Sequence, residues 1–155
     1  MKYLLDTNIY FAAIADSEYL RQHRDVLLRI MPFTYLSSVV RFELLQGAKG
    51  DVSRARVSRV TRHLERAGRV IAPTHTDWTR AGTLQGRLWD DHPALRSKSL
   101  QNDILIACSA RRVGALIITD NRDDFDRIRQ YLAHRALSMA TLAAELGLRA
   151  STASG

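Results

Sequence analysis

The sequence predicts an α/β protein with three layers, α/β/α, around a mainly parallel central sheet of four to five strands. Three observations predict it. Short runs of strand length and mostly apolar character recur at residues 3–5, 35–37, 70–72 and 115–119. Pairs of helical segments separate them, and alternation of this kind argues for a parallel sheet covered by helices. Two of the runs stop abruptly in an acid, Leu5-Asp6-Thr7-Asn8 and Thr119-Asp120-Asn121. In open sheets of this class, ligands bind outside the carboxyl ends of the strands.

Composition narrows the setting. The 155 residues suit one domain, expected over 1–148, with 149–155 as a flexible tail without apolar periodicity. At 46% hydrophobic the chain can bury a core, yet no apolar run approaches the ~18 residues that signal a membrane span. The first residues read as strand, not as a secretion signal. Cys108 is the one cysteine, so no internal disulfide is available, which suits a reducing cytoplasm. Lys and Arg number 23 against 16 Asp and Glu, a net charge of +7, and such a balance favours a polyanionic partner.

After Asp6-Thr7-Asn8, residues 9–15 read as a short buried helix. Asp16 and Ser17 punctuate it, and a second helix is expected over 18–30, with Leu20, Leu27, Leu28 and Ile30 among its apolar positions and Pro32 as its stop. The second strand ends at Ser37, where Ser37 or Ser38 offers an N-cap for a helix over 39–46. Glu43 shares a face of that helix with Val39, Val40 and Gly47. A carboxylate there is costly unless paired or metal-bound; the alternative is an outward-pointing glutamate. Residues 51–67 form a long helix with Val57, Val60 and Leu64 as its apolar stripe. Arg59, Arg62, Arg66 and Arg69 share another face, either solvated or available to phosphate.

Gly68 ends that helix before the third strand. Thr76 is the expected cap of the next helix, 77–89, with Trp78, Ala81, Leu84, Leu88 and Trp89 on its buried side. Asp90-Asp91-His92-Pro93 opens a polar loop, in which Arg96 and Lys98 are candidate contacts to a polyanionic partner. The helix that follows is apolar nearly all round from Ile104 to Ala110 and should be buried. Asp103 stands in its first turn, where the helix dipole favours an acid. The strand at 115–119 is the clearest in the chain. A short helix to about 132, a weak strand over 135–139 and a helix over 142–146 capped by Thr141 complete the reading.

In a parallel fold Asp6, Asp120 or Asp124 from strand ends, and Glu43 and Asp103 from helices, converge on one edge. Crowded carboxylates raise one another's pKa values, and a divalent cation relieves the conflict. Oxygen-only ligands suit Mg²⁺ or Mn²⁺. The five histidines are dispersed and no His-Glu-x-x-His occurs. An acidic metal site on a basic protein has the physical logic of a metal-dependent nuclease.

Four segments carry a resemblance: Leu4-Leu5-Asp6-Thr7-Asn8, Leu36-Ser37-Ser38-Val39-Val40-Arg41-Phe42-Glu43-Leu44, Asn102-Asp103-Ile104-Leu105-Ile106-Ala107 and Ile118-Thr119-Asp120-Asn121-Arg122-Asp123-Asp124-Phe125. In order and spacing they resemble the signature segments of PIN-domain ribonucleases, over about residues 2–133. Size and charge resemble the VapC-type toxins of bacterial toxin–antitoxin pairs. The resemblance implies Asp6, Glu43 and Asp103 as metal-binding acids, with Thr7 and Asn8 ordering the strand end. It leaves Asp124 and Asp120 as rivals for the fourth acid, with Asn121 as a neutral contact. It further implies RNA as substrate, a homodimer, and a cognate antitoxin laid over a helical groove. In place of the glycine-containing loop that often precedes the family's third acid, this chain has Arg96-Ser97-Lys98-Ser99.

Two other classes compete. An aspartyl-nucleophile phosphatase would use Asp6 but needs a second acid two residues on, where this chain has Asn8. A non-catalytic nucleic-acid-binding module would use the basic surface and leave Glu43 and Asp103 without a role. A dinucleotide-binding fold is weaker still, since no Gly-x-Gly-x-x-Gly follows the first strand.

Overall fold

The computed structural model describes residues 1–97 and 100–148. Lys98 and the expected tail, 149–155, lie outside the described residues. The sheet has five parallel strands in the order β3-β2-β1-β4-β5, with β1 at Lys2–Leu5, β2 at Thr34–Ser37, β3 at Val70–Ile71, β4 at Ala115–Ile118 and β5 at Ala136–Leu137. Its register is continuous across the centre, where Leu5 of β1 pairs with Ile118 of β4 and the Asp6 N–H donates to the Ile118 carbonyl. Strands β2 and β3 lie to one side of β1, while β4 and β5 lie to the other. The order therefore reverses between β1 and β4, the topological switch point at which such sheets bind ligands.

Helices fill the connections. Between β1 and β2 run α1 (Thr7–Ala15), α2 (Ser17–Gln22) and α3 (Arg24–Ile30); between β2 and β3, α4 (Ser38–Gly47) and α5 (Gly50–Arg66); between β3 and β4, α6 (His75–Asp91) and α7 (Gln101–Val113). The chain ends with α8 (Arg122–Arg129), β5 and α9 (Met139–Glu145). Helix α7 is the buried one, with every residue from Ile104 to Ala110 inaccessible, as its all-round apolar sequence requires. It packs on α4, α6 and α8. Gly114 ends it at φ +66°, a left-handed cap that a side chain would resist. No helix among the described residues is long and apolar enough to cross a membrane.

Several local expectations are corrected. The helix expected over 18–30 is two helices meeting at His23. Asp16 caps α2 through the Glu18 and Tyr19 N–H groups, and α2 buries no residue, whereas α3 buries Val26, Leu27 and Ile30. Leu20 and Leu28 are exposed. Thr74, not Thr76, caps α6, because its hydroxyl and the Asp77 carboxylate satisfy each other's backbone N–H in a capping box. The helix then continues through Asp90 and Asp91, which do not belong to a loop. Trp78 is 50% exposed and Trp89 half-buried, so neither is a core residue. Ser138, not Thr141, caps α9. Arg69 leaves the expected arginine face of α5 and donates to the Met31, Pro32 and Thr34 carbonyls, fastening the turn before β2.

Asp77 shows how a buried acid is held. It is 1% exposed, yet its carboxylate accepts from the Thr74 N–H and from Arg112 Nε at 2.9 Å. Burial opposes its ionisation, but the Thr74 and Arg112 bonds outweigh burial and keep its pKa below the ordinary range. A depressed folded pKa contributes stability that is present above the unfolded pKa and is lost as pH falls through the folded value. Asp77→Ala should cost about 2 kcal/mol near neutral pH through the lost cap and buried ion pair. In urea titrations the deficit should shrink as pH falls below about 4; a deficit independent of pH would contradict the assignment.

Candidate active site at the sheet switch point

The site is built outward from Asp6. Its backbone ends β1 and its side chain begins α1, where Oδ1 accepts the Thr7 N–H at 2.8 Å. Oδ2 accepts from Asn8 Nδ2 at 2.9 Å and from the Thr119 hydroxyl at 2.7 Å. Asp6 is 4% exposed. Burial raises its pKa above the usual carboxylate range, and the nearby Glu43 charge adds to the rise. The Thr119, Thr7 and Asn8 bonds oppose the shift without cancelling it.

Glu43 projects from the second turn of α4, whose start is fixed by the Ser37 hydroxyl accepting the Val39 N–H. It is half-buried. The Thr7 hydroxyl donates to one of its oxygens, and Asn102 Nδ2 donates to the other at 2.9 Å. Thus Thr7 links the two acids: its N–H holds Asp6 while its hydroxyl holds Glu43. Asn102 carries the link to the first turn of α7, where Asp103 follows, half-buried.

The end of β4 supplies the second wall. The Thr119 hydroxyl, besides donating to Asp6, accepts from Asn8 Nδ2 and from the Asn121 N–H. Asn121 Nδ2 then donates to Asp124 at 2.9 Å, and Arg127 holds the other oxygen of that buried acid. Asp120 turns elsewhere. Its carboxylate accepts from the Tyr19 hydroxyl and the Met139 N–H, tying α2 and α9 to the strand end. Of the two rivals, Asp124 is therefore the one wired through Asn121 and Thr119 to Asp6.

Of the residues singled out in the sequence, the structure joins Asp6, Thr7, Asn8, Glu43, Asn121 and Asp124 in one hydrogen-bond network. Arg96 is exposed and pairs with Asp90 at 3.7 Å. Asn102 and Thr119 carry no role that the sequence alone assigns. The one signal for each is its place beside an acid in a quoted segment.

A PIN-domain model matches residues 3–131. The chain belongs to the PIN-domain family. Solved structures agree on the fold. The DNA-bound VapBC of Salmonella typhimurium is similar at a TM-score of 0.69 and 21% identity, covering 90% of this chain and 98% of that one. VapBC-1 of nontypeable Haemophilus influenzae gives 0.64 and 22%, covering 90% and 99%. VapBC2 of Rickettsia felis, bound to a promoter DNA fragment, gives 0.62 and 24%, covering 89% and 98%. No curated protein matches the chain.

Among the described residues no three His, Cys, Asp or Glu side chains stand together as a ready metal cage. The donors nevertheless fit a hard cation. Asp6 and Glu43 are close enough to interact, all the donors are oxygens, and among the described residues Asp6 Oδ1 and both Glu43 oxygens each accept a single hydrogen bond, leaving a lone-pair direction on each.

Thr119 is the test of this wiring in the PIN domain. Thr119→Val keeps the shape but removes a donor from Asp6 and an acceptor from Asn8 and Asn121. Equilibrium unfolding should show a loss of about 1–3 kcal/mol. Wild-type stability in that variant would mean the network is not holding the strand end.

Proposed function

We propose that the protein is a metal-dependent endoribonuclease, hydrolysing RNA phosphodiester bonds, and that it acts as the toxin of a toxin–antitoxin pair. The observation that carries the reading is the Asp6–Thr7–Glu43 link at the switch point of a PIN fold. Asp6, Glu43 and Asp103 are assigned as ligands of Mg²⁺ or Mn²⁺, and Asp124 as the fourth acid. Asp120 is assigned to holding α2 and α9. When bound, the metal supplies positive charge for the phosphodiester and a water of lowered pKa.

The chain's own residues prepare the site. Thr119 and Asn8 fix the plane of the Asp6 carboxylate, and Thr7 and Asn102 fix that of Glu43. Neither acid has to reorganise when substrate arrives, which is where preorganised sites gain rate. Arg96 and Lys98, in the segment leading to α7, are assigned as contacts to RNA phosphates, in keeping with the net charge of +7.

The partner assignment rests on the solved neighbours. They are VapBC assemblies, and their matched chains are covered almost end to end. A cognate antitoxin, a homodimer and a cytoplasmic setting belong to the same proposal. The phosphatase alternative loses ground because Asn8, at the position of its second acid, is spent on orienting Asp6. A purely binding module gives no reason for a buried acid beside a second one.

RNA should be cut in Mg²⁺ or Mn²⁺ and left intact in EDTA. Asp6→Asn, which keeps a good N-cap, and Glu43→Gln should each lower cleavage by at least ~100-fold while remaining folded by circular dichroism. Cleavage that ignores EDTA and both substitutions would sink the nuclease reading.

A further inference from the structure

Away from the acids, Arg80 and Arg87 on α6 and Arg111 on α7 line one open cavity of about 420 Å³. All three are exposed, and none has an ion-pair or hydrogen-bond partner among the described residues. The carboxylates of α6 itself are already engaged: Asp77 by Arg112, Asp90 by Arg96 and Asp91 by the Tyr131 hydroxyl. Three guanidiniums from two helices thus line one concavity; the Asp91 carboxylate beside it, held by the neutral Tyr131 hydroxyl, offsets one charge and leaves the lining net cationic. Concave, single-sign surfaces concentrate potential and gather counter-charge.

The spacing selects a chain of anions over one small anion. Arg80 and Arg87 are seven residues apart on one helix, about 10 Å along its axis. Arg111 also lines a neighbouring cavity with Arg135, so the cationic lining continues beyond the first cavity. The two leucines of the floor, Leu84 and Leu132, are buried at 5% and 2% exposure. The Thr79 and Thr83 hydroxyls donate to carbonyls of their own helix. Recognition is left to guanidinium forks, which match phosphate geometry.

We infer that the Arg80–Arg87–Arg111 groove is a secondary binding track for the phosphodiester backbone of RNA, distinct from the acid site. The inference rests on the proposed RNA substrate. Helix α7 connects the two regions: Asn102 holds Glu43 at one end, and Arg111 lies nine residues on, about 13 Å along the axis. A strand engaged at the acids reaches the groove within a few nucleotides, so the track reads substrate length and not the scissile bond. The arginines of α5, Arg59, Arg62 and Arg66, are the natural control, because they lie outside both cavities and their replacement removes the same net charge.

Binding of a fluorescent single-stranded RNA, followed by anisotropy in EDTA across a salt series, separates the track from catalysis. Arg80→Gln/Arg87→Gln/Arg111→Gln should weaken binding at least ~10-fold at low salt. It should also reduce the salt slope by about two, at ~0.7 for each phosphate that is no longer neutralised. The α5 triple substitution should change the slope by less than about one, and thermal melts should show both triples folded. Equal losses from the two triples would reduce the effect to net charge and overturn the proposal. So would an unchanged slope in the groove triple, or loss of polyglutamate binding with RNA affinity intact. Because the readout needs no cleavage, loss of the track and loss of the nuclease reading are separable: the second is decided by Asp6→Asn turnover.

Discussion

Everything at the site depends on one buried carboxylate being held at a strand end by neutral donors. An acid removed from water is costly unless its hydrogen-bonding capacity is used. Asp6 meets that cost with the first N–H of α1, an amide and a hydroxyl. Those donors come from the helix after β1 and from the end of β4, the two strands between which the sheet order reverses. The carboxylate therefore closes the cleft that the topology opens. It also fixes where α1 starts, and with it the direction in which Thr7 points.

The second acid is placed by helix packing. Thr7 and Phe11 lie one turn apart on α1; Glu43 and Gly47 lie one turn apart on α4. Thr7 meets Glu43, and the Phe11 ring lies over Gly47, where a Cβ would stand 2.7 Å from the ring's Cζ. Two contacts one turn apart fix the register of α1 on α4, as interlocking helix surfaces do. Gly47 directly follows the helix expected over 39–46. In the structure it is the last residue of α4, and its missing side chain lets Phe11 approach.

The fold class is legible because buried parallel strands leave a continuous apolar record, and four of the five announce themselves this way. The fifth, Ala136–Leu137, is as short as β3 but lacks its two β-branched residues and is flanked by Arg135 and Ser138, so its record is weak. Asp6 and Glu43 stand out because an acid after a buried strand, or among apolar positions of a helix, violates a local expectation. Thr119 and Asn102 violate none, since Thr at a strand end and Asn in a first helical turn are ordinary. Their roles exist only in contacts across 113 and 59 positions of chain. The caps at Thr74 and Ser138 escape the sequence for a local reason. Thr74 is followed two residues later by Thr76, and Ser138 three residues later by Thr141, each another hydroxyl able to cap, and the local sequence does not say which of the pair begins the helix.

The choice of donors separates these acids by function. The protein has cations to spare and uses them on other carboxylates: Arg112 on Asp77, Arg41 on Glu65, Arg127 on Asp124. Asp6 and Glu43 receive only hydroxyl, amide and backbone N–H groups among the described residues. A guanidinium in that place would fix the geometry equally well, but it would also cancel the charge. Neutral donors hold the two carboxylates in position and leave their negative potential intact, while burial and then repulsion from Glu43 raise the Asp6 pKa. That arrangement disfavours the protein standing alone and favours a site that takes up positive charge. Asp124, paired with Arg127, also accepts from Asn121 Nδ2 and so ties Asn121, whose N–H meets Thr119, to the same site.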